Sequence, residues 1–407
     1  MKKELLFLVH RIPFPPNKGD KIRSYNILRH LARDWTVHLG GFVDDPDDWR
    51  HQAEVAAIGG GECRLLRLDP ARAKGKSLRG LLDGRPLTLP YYADPALQAW
   101  VDELLRARPV GHVVVFSSAM AQFVEGHAGL RRVADFVDVD SDKWAQYADS
   151  KSWPMSALYR RESRTLLGYE RRIAASFDAT VFVSGDEAAL FRRLAPETGA
   201  RVHAVRNGVD TDYFSPTHAL PGPYVGRGPV MVFTGAMDYW ANVDAVRWFA
   251  DEILPGVRRE IAEAEFFIVG SRPAPEVRAL GEREGITVTG AVEDIRPYVA
   301  HARLAVVPMR IARGVQNKVL EAMSLARPVV LSPEGAEGID AEDGKHFLVG
   351  RDAGELCQGV LRCLREDHSA MGEAARRRVL VEYGWEPSLR RFDELLEEKD
   401  GNQVVHV

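Results

Sequence analysis

Cysteine is scarce in this sequence, with three in 407 residues: Cys63, Cys357 and Cys363. They form no C-x-x-C pair, so neither a disulfide framework nor a zinc site is readable. A reducing compartment follows, and the expected localisation is cytoplasmic. Long apolar runs are missing too. No stretch approaches the roughly 20 residues that span a bilayer. Leu5–Val9, after Met1-Lys2-Lys3-Glu4, is too short for a signal-peptide core. Charge of one sign is not in excess: the formal net charge of -4 gives no global attraction to nucleic acid. His10, His30, His203 and His301 lack metal-ligand spacing such as H-E-x-x-H, and no metal is expected. There is no G-x-G-x-x-G after the first apolar run or after Val230–Thr234, which speaks against a dinucleotide-binding dehydrogenase. Short repeats and low-complexity tracts are absent as well.

What is present is a globular composition, 45% hydrophobic and 28% charged, in a chain long enough for two domains. Apolar runs at Leu5–Val9, Thr36–Val43, His112–Ser117, Arg132–Asp138, Ala179–Ser184 and Arg201–Arg206 predict strands. Helical period at Ser24–Ala32, Pro95–Arg106, Leu158–Ala175 and Asp186–Arg193 separates them. The alternation predicts right-handed βαβ units and a parallel sheet. A breaker-rich segment at Pro221–Pro229 then restarts the pattern. Strands are predicted at Val230–Thr234, Glu265–Val269, Ile286–Thr289, Leu304–Pro308, Pro328–Leu331 and Phe347–Val349. Helices are predicted at Val243–Ile253, Ile295–His301, Val315–Leu325 and Ala353–Arg365. Two doubly wound α/β halves are expected, with a boundary near Asn207–Pro216. Ligands of such sheets sit beyond the carboxyl ends of strands, and here the cleft between the halves is the expected place.

The most informative segment is Gly314–Pro328, GVQNKVLEAMSLARP. Gly314 permits a tight turn, and a helix is expected to begin immediately after it. The free N–H groups of a helix start make an anion site. Lys318 and Glu321 stand one turn apart on the same face. A lysine there can neutralise a diphosphate, and the carboxylate can accept hydrogen bonds from a ribose diol. The bland alternative is a surface Lys–Glu pair of little consequence.

Three other segments draw attention. Pro13–Arg23 joins the first strand to the first helix; Gly19 lets backbone approach a ligand, and Lys18, Lys21 and Arg23 add positive charge at the same mouth. A solvated basic loop is the alternative. Asp138-Val139-Asp140 spells D-x-D at a strand end. It is read as a metal site only in a different sheet type, so Asp138 is taken either as a polar group acting on substrate or as a turn residue. Asp142 can cap the helix that follows. Ala157–Arg172 interleaves arginine, tyrosine and leucine, which suits either an anionic membrane surface or a core-facing helix with a charged outer side.

The Gly314–Pro328 segment, with its E-A-M helix and R-P-V-V continuation, resembles the donor-site signature of retaining GT-B glycosyltransferases of family 4, also called group 1. Asn207-Gly208-Val209-Asp210-Thr211-Asp212-Tyr213-Phe214-Ser215-Pro216 resembles that family's N-G-V-D-x-x-x-F-x-P hinge. Val9–Tyr25 and Phe136–Trp144 are similar to a subgroup found with exosortase-linked exopolysaccharide systems. Two positions depart from the pattern. Arg313 stands where the family has a glutamate, eight residues before Glu321, and Ala236 follows Gly235 where the family has an arginine.

The resemblance implies a GT-B fold, two Rossmann-like domains facing across a cleft. The domains expected are 1–207 for the acceptor, 208–385 for a nucleotide-sugar donor, a helix at 386–400 returning to the first, and a tail at 401–407. It implies sugar transfer from a UDP- or GDP-linked donor, with retention and no required cofactor, to a glycan or polyprenyl-diphosphate-linked acceptor. Peripheral contact with the inner face of the membrane is the corresponding localisation. Asp138 and Lys318 are the implied catalytic residues. Gly19, Gly235, Gly270, Arg310, Arg313, Gly314, Val315, Gln316, Lys318 and Glu321 are the implied donor-binding set, with Lys318, Arg310 or Arg313 supplying the missing cation. A nucleotide-sugar 2-epimerase and a non-catalytic nucleotide-sugar binding protein are the competing readings.

Overall fold

The computed structural model describes residues 2–16, 18–149, 151–312 and 315–397. The chain forms two α/β units, one from residues up to Asn207 together with the chain from Ser388, the other from Gly208–Pro387.

The first unit is built on seven strands, β1 (Lys3–Val9), β2 (Trp35–Val43), β3 (Gly60–Arg67), β4 (Val110–Phe116), β5 (Arg131–Val137), β6 (Ala179–Phe182) and β7 (Val202–Ala204). Their order is β3-β2-β1-β4-β5-β6-β7 and all pairs are parallel. Crossover helices cover the faces of such a sheet, so inner strands read as unbroken apolar runs. Leu5 to Val9 are all fully buried. β3 is a different case and was invisible to the hydrophobic pattern. It lies at the edge, reads GGECRLLR, and only Leu65 in it is buried.

The first helix, Gly19–Asp34, carries an unexpected pair of buried cations. Arg23 Nε donates to Asp135 Oδ2 at 2.8 Å, and Arg23 NH1 donates to Asn207 Oδ1 at 2.9 Å. Lys21 Nζ donates to Asp48 Oδ2 at 2.7 Å. Lys21 and Arg23 therefore do not add charge to a mouth, contrary to the sequence reading; each is buried and neutralised by a carboxylate. Lys18 alone of the three is exposed. The helix Trp385–Glu397 buries Leu389, Phe392, Leu395 and Leu396. In the first unit, Asp393 pairs with His30 at 2.9 Å, and Arg131 Nε donates to the Leu395 carbonyl at 3.0 Å.

The second unit has six parallel strands, β8 (Val230–Thr234), β9 (Glu265–Val269), β10 (Ile286–Gly290), β11 (Leu304–Val307), β12 (Val329–Leu331) and β13 (Leu348–Val349). Their order is β10-β9-β8-β11-β12-β13. The helix expected over Val243–Ile253 starts earlier, at Trp240. It passes through a π turn at Phe249–Ile253 and runs on to Glu260. Pro255 explains the wide turn: it has no N–H to continue the regular ladder. Strand order reverses between β1 and β4 in one sheet and between β8 and β11 in the other. These are the topological switch points where α/β sheets hold ligands.

Candidate functional site

At the switch point of the second sheet lies a cavity of about 540 Å³. Cavities of several hundred Å³ are the usual size for small-molecule sites. Thr234 and Gly235 border it at the end of β8, Gly270 and Ser271 after β9, and Ala291 and Val292 after β10. Val315, Gln316, Asn317, Lys318 and Glu321 complete it from the far side. Six of the sequence-implied donor residues thus meet in one place: Gly235, Gly270, Val315, Gln316, Lys318 and Glu321.

The helix here is Asn317–Ser324, with Gln316 as its N-cap. It starts later than expected from Gly314. The free amides of its first turn belong to Asn317 and Lys318, while Val315 and Gln316 lie in the segment before it. Lys318 does not form the bland surface pair. Its Nζ donates to Asn242 Oδ1 at 2.7 Å, sits 4.0 Å from Met309 Sδ and lies 4.7 Å from the Phe233 ring centroid. Among the described residues no ion pair joins it to Glu321.

Burial pushes the Lys318 ammonium down to about 8, with the Glu321 charge opposing the shift. Burial also pushes the Glu321 carboxyl up to about 7, with Lys318 opposing. Removal from water disfavours both charged forms. A bound anion near Lys318 and a bound diol near Glu321 would restore the charges. Two titratable groups so perturbed in one cavity mark a candidate functional site.

The glycines are required by close approach. A Cβ on Gly270 would stand 1.7 Å from the Gly235 carbonyl oxygen. On Gly235 it would meet Asn242 Nδ2 at 2.7 Å. Asn242 escaped the sequence reading, because a lone asparagine in a helix carries no motif. It is 5% exposed and both ends of its amide are engaged. Nδ2 donates to the Ala236 carbonyl at 3.0 Å, and Oδ1 accepts from Lys318. A carbonyl can only accept and an ammonium can only donate, which fixes the amide's orientation.

The remaining candidates lie elsewhere. Arg310 does not line the cavity; its guanidinium is spent on Asp244, with Nε at 2.9 Å from Oδ2. Arg313 and Gly314 lie outside the described residues, as do positions 398–407 of the expected terminal segments. Gly19 opens the first helix of the first unit, and a Cβ on it would meet nothing within 4 Å.

Asp138 follows β5 in the first unit, and its Oδ2 accepts from Lys143 Nζ at 2.7 Å. The same ammonium reaches Asp140 Oδ1 at 3.3 Å, so a lysine occupies the D-x-D pair. Among the described residues no cluster of three or more potential metal ligands occurs. Asp142 is not a cap: the helix begins at Asp140, and Asp142 accepts from Gln146 within it at 2.6 Å. Just before Asp138, Val137 has φ of 70°, a rare conformation for a β-branched residue.

The arginine-rich helix, Met155–Ser176, is largely committed to its own unit. Arg161 donates to the Gly80 carbonyl at 2.6 Å, Arg171 pairs with Glu197 at 2.6 Å, and Arg172 lies 4.9 Å from the ring centroid of buried Tyr169. Among the described residues, no helix is long and apolar enough to cross a membrane.

Residues 228–366 match the family described as glycosyl transferases group 1, and every residue lining the cavity falls within that segment. No curated protein sequence matches the chain. Among solved structures, sucrose-phosphate synthase from Thermosynechococcus elongatus is similar at a TM-score of 0.63 and 18% identity, covering 97% of this chain and 98% of that one. HepE from Anabaena, in complex with UDP and glucose, aligns at a TM-score of 0.63 and 14% identity over 98% of this chain and 100% of its own. WaaG, a glycosyltransferase of lipopolysaccharide biosynthesis, aligns at a TM-score of 0.60 and 18% identity over 97% and 100%. The fold is therefore GT-B, and the chain carries a glycosyltransferase group 1 domain.

Proposed function

We propose that this protein is a glycosyltransferase. It moves a sugar from a nucleoside-diphosphate sugar to a glycan or polyprenyl-diphosphate-linked acceptor, with retention at the anomeric carbon. The observation that carries this reading is one cavity lined by Lys318, Glu321, two close-packed glycines and a helix start. Lys318 and the amides of Asn317 and Lys318 suit a diphosphate; Glu321 suits the ribose diol. The UDP in the HepE structures supports a UDP-linked donor.

In the proposed step the acceptor oxygen bonds to the anomeric carbon as the bond from that carbon to the diphosphate oxygen breaks. The acceptor proton passes to the leaving diphosphate, so no metal or separate carboxylate base is invoked. Lys318 stabilises the charge that develops on the leaving group. Asp138, in the first unit, is assigned to orienting the donor sugar or the acceptor hydroxyl by hydrogen bonding, without taking the proton. The resemblance of Val9–Tyr25 and Phe136–Trp144 to the exosortase-linked subgroup supports a role in exopolysaccharide synthesis.

Calorimetry with UDP tests the reading. Glu321→Ala and Lys318→Ala should each weaken binding by about 1–3 kcal/mol, the cost of a lost charged hydrogen bond. Unchanged affinity in both variants would remove the nucleotide from this cavity. Incubating the protein with UDP-sugar and no acceptor addresses the epimerase alternative, since only an epimerase gives an isomerised donor.

Membrane contact is assigned away from the arginines of the Met155–Ser176 helix. Leu78 and Leu81, on either side of Gly80, and Trp153 and Met155, at the helix start, are 57%, 43%, 81% and 41% exposed. Exposed Lys74 and Lys76 precede them. Exposed apolar groups beside basic ones suit an anionic bilayer surface. Flotation with anionic vesicles should show binding that Trp153→Ala reduces.

A further inference from the structure

We infer that Asn242 is a positioning residue for the donor diphosphate: it holds the Lys318 ammonium in place and ties it to the Gly235 turn. This rests on the reading of the cavity as a nucleotide-sugar site and goes beyond it. An ammonium has three N–H donors. One reaches Asn242 Oδ1 at 2.7 Å; the other neighbours are the Met309 sulfur at 4.0 Å and the face of Phe233. The charged group acting on it among the described residues is Glu321, from its own helix. From β8 it meets an aromatic ring, from the end of β11 a thioether, and from the Trp240–Trp248 helix only an amide. Among the described residues the ammonium thus has one oxygen partner, leaving donors for an anion.

Asn242 is suited to that task in a way a carboxylate is not. An aspartate would neutralise the lysine and compete with the diphosphate. The amide oxygen orients the ammonium without cancelling its charge. Its other end, Nδ2, is fixed on the Ala236 carbonyl at 3.0 Å. That carbonyl belongs to the turn after β8, one residue past Gly235, whose missing side chain leaves room for the amide. One residue therefore sets both flanks of the site, the glycine turn and the lysine. It does so where the family's arginine is absent and Ala236 stands instead.

The test is a double-mutant cycle read as UDP-glucose affinity by calorimetry, repeated from pH 6 to 9. The proteins are the full-length wild type, Asn242→Ala, Lys318→Ala, the double variant and Asn242→Asp. Asn242→Ala should weaken binding about tenfold in the wild type and by less than threefold in the Lys318→Ala background. Asn242→Asp, which keeps size and an oxygen facing Lys318, should move the alkaline fall in affinity upward by about one pH unit or more while lowering affinity near neutrality. It also serves if the alanine variant fails to fold. Equal losses in both backgrounds, or an alkaline limb that Asn242→Asp leaves in place, would overturn the positioning role. Failure of the underlying reading looks different: wild type would not bind UDP-glucose, or Lys318→Ala would bind it as well as wild type, and the proposal would fall with it.

Discussion

Positive charge is handled in opposite ways at Lys21 and Arg23 of the first unit and at Lys318 of the second. In the first, buried Arg23 meets Asp135 and buried Lys21 meets Asp48. Each cation is matched by a carboxylate. In the second, Lys318 is drawn into a cavity and given an amide oxygen. A matched buried charge is a structural element, and removing its partner leaves an ion stranded in low dielectric. An incompletely matched one, as proposed for Lys318, suits a ligand that brings the opposite sign. Basic residues near strand ends look alike in sequence, and their partners separate the two kinds.

The contrast can be broken most forcefully at Asp135. Asp135→Ala strands Arg23 and should destabilise the first unit by about 3–5 kcal/mol. Urea unfolding measures this, and UDP affinity of the protein that remains folded should be unchanged. A loss under 1 kcal/mol would mean that Arg23 finds other partners. Next comes Gly270→Ala, which forces a Cβ against the Gly235 carbonyl. Overpacking of this kind costs about 1–3 kcal/mol. The same variant should also weaken UDP binding, because the displaced turn carries the Asn242 anchor.

The pH dependence of UDP-glucose binding sharpens the comparison further. Its diester diphosphate keeps its charge across the range. Glu321 must be ionised to accept from a diol; its pKa is raised to about 7, so affinity falls as pH drops below that value. Lys318 must be protonated; its pKa is lowered to about 8, so affinity falls as pH rises above it. The maximum should lie between about pH 7 and 8, with each limb approaching a tenfold loss per unit. A flat profile by calorimetry from pH 6 to 9 would show that neither group titrates against the ligand. The smallest effect is expected at Arg310. Its guanidinium is half-exposed and paired with Asp244 outside the cavity. Arg310→Ala should change UDP affinity by less than about 0.5 kcal/mol, as for a surface pair.

Much of the fold was legible because parallel strands buried on both faces leave a simple trace. Leu5–Val9 and Val230–Thr234 read directly as inner strands. β3 did not, because an edge strand needs few apolar residues. The π turn at Phe249–Ile253 was hidden because a proline's effect on a helix depends on how the ladder closes around it.

By itself, the sequence determined two rounds of alternating strand and helix, the Lys318–Glu321 spacing on one helix face, and the glycines after β8 and β9. These are local properties, set by periodicity and by what a backbone can adopt. Only tertiary structure decided which cations meet a carboxylate and which meets an amide oxygen. Asp135 is 112 residues from Arg23 in sequence, and Asn242 is 76 from Lys318. Pairing over such distances depends on how strands are ordered in the sheet, and no local pattern records it.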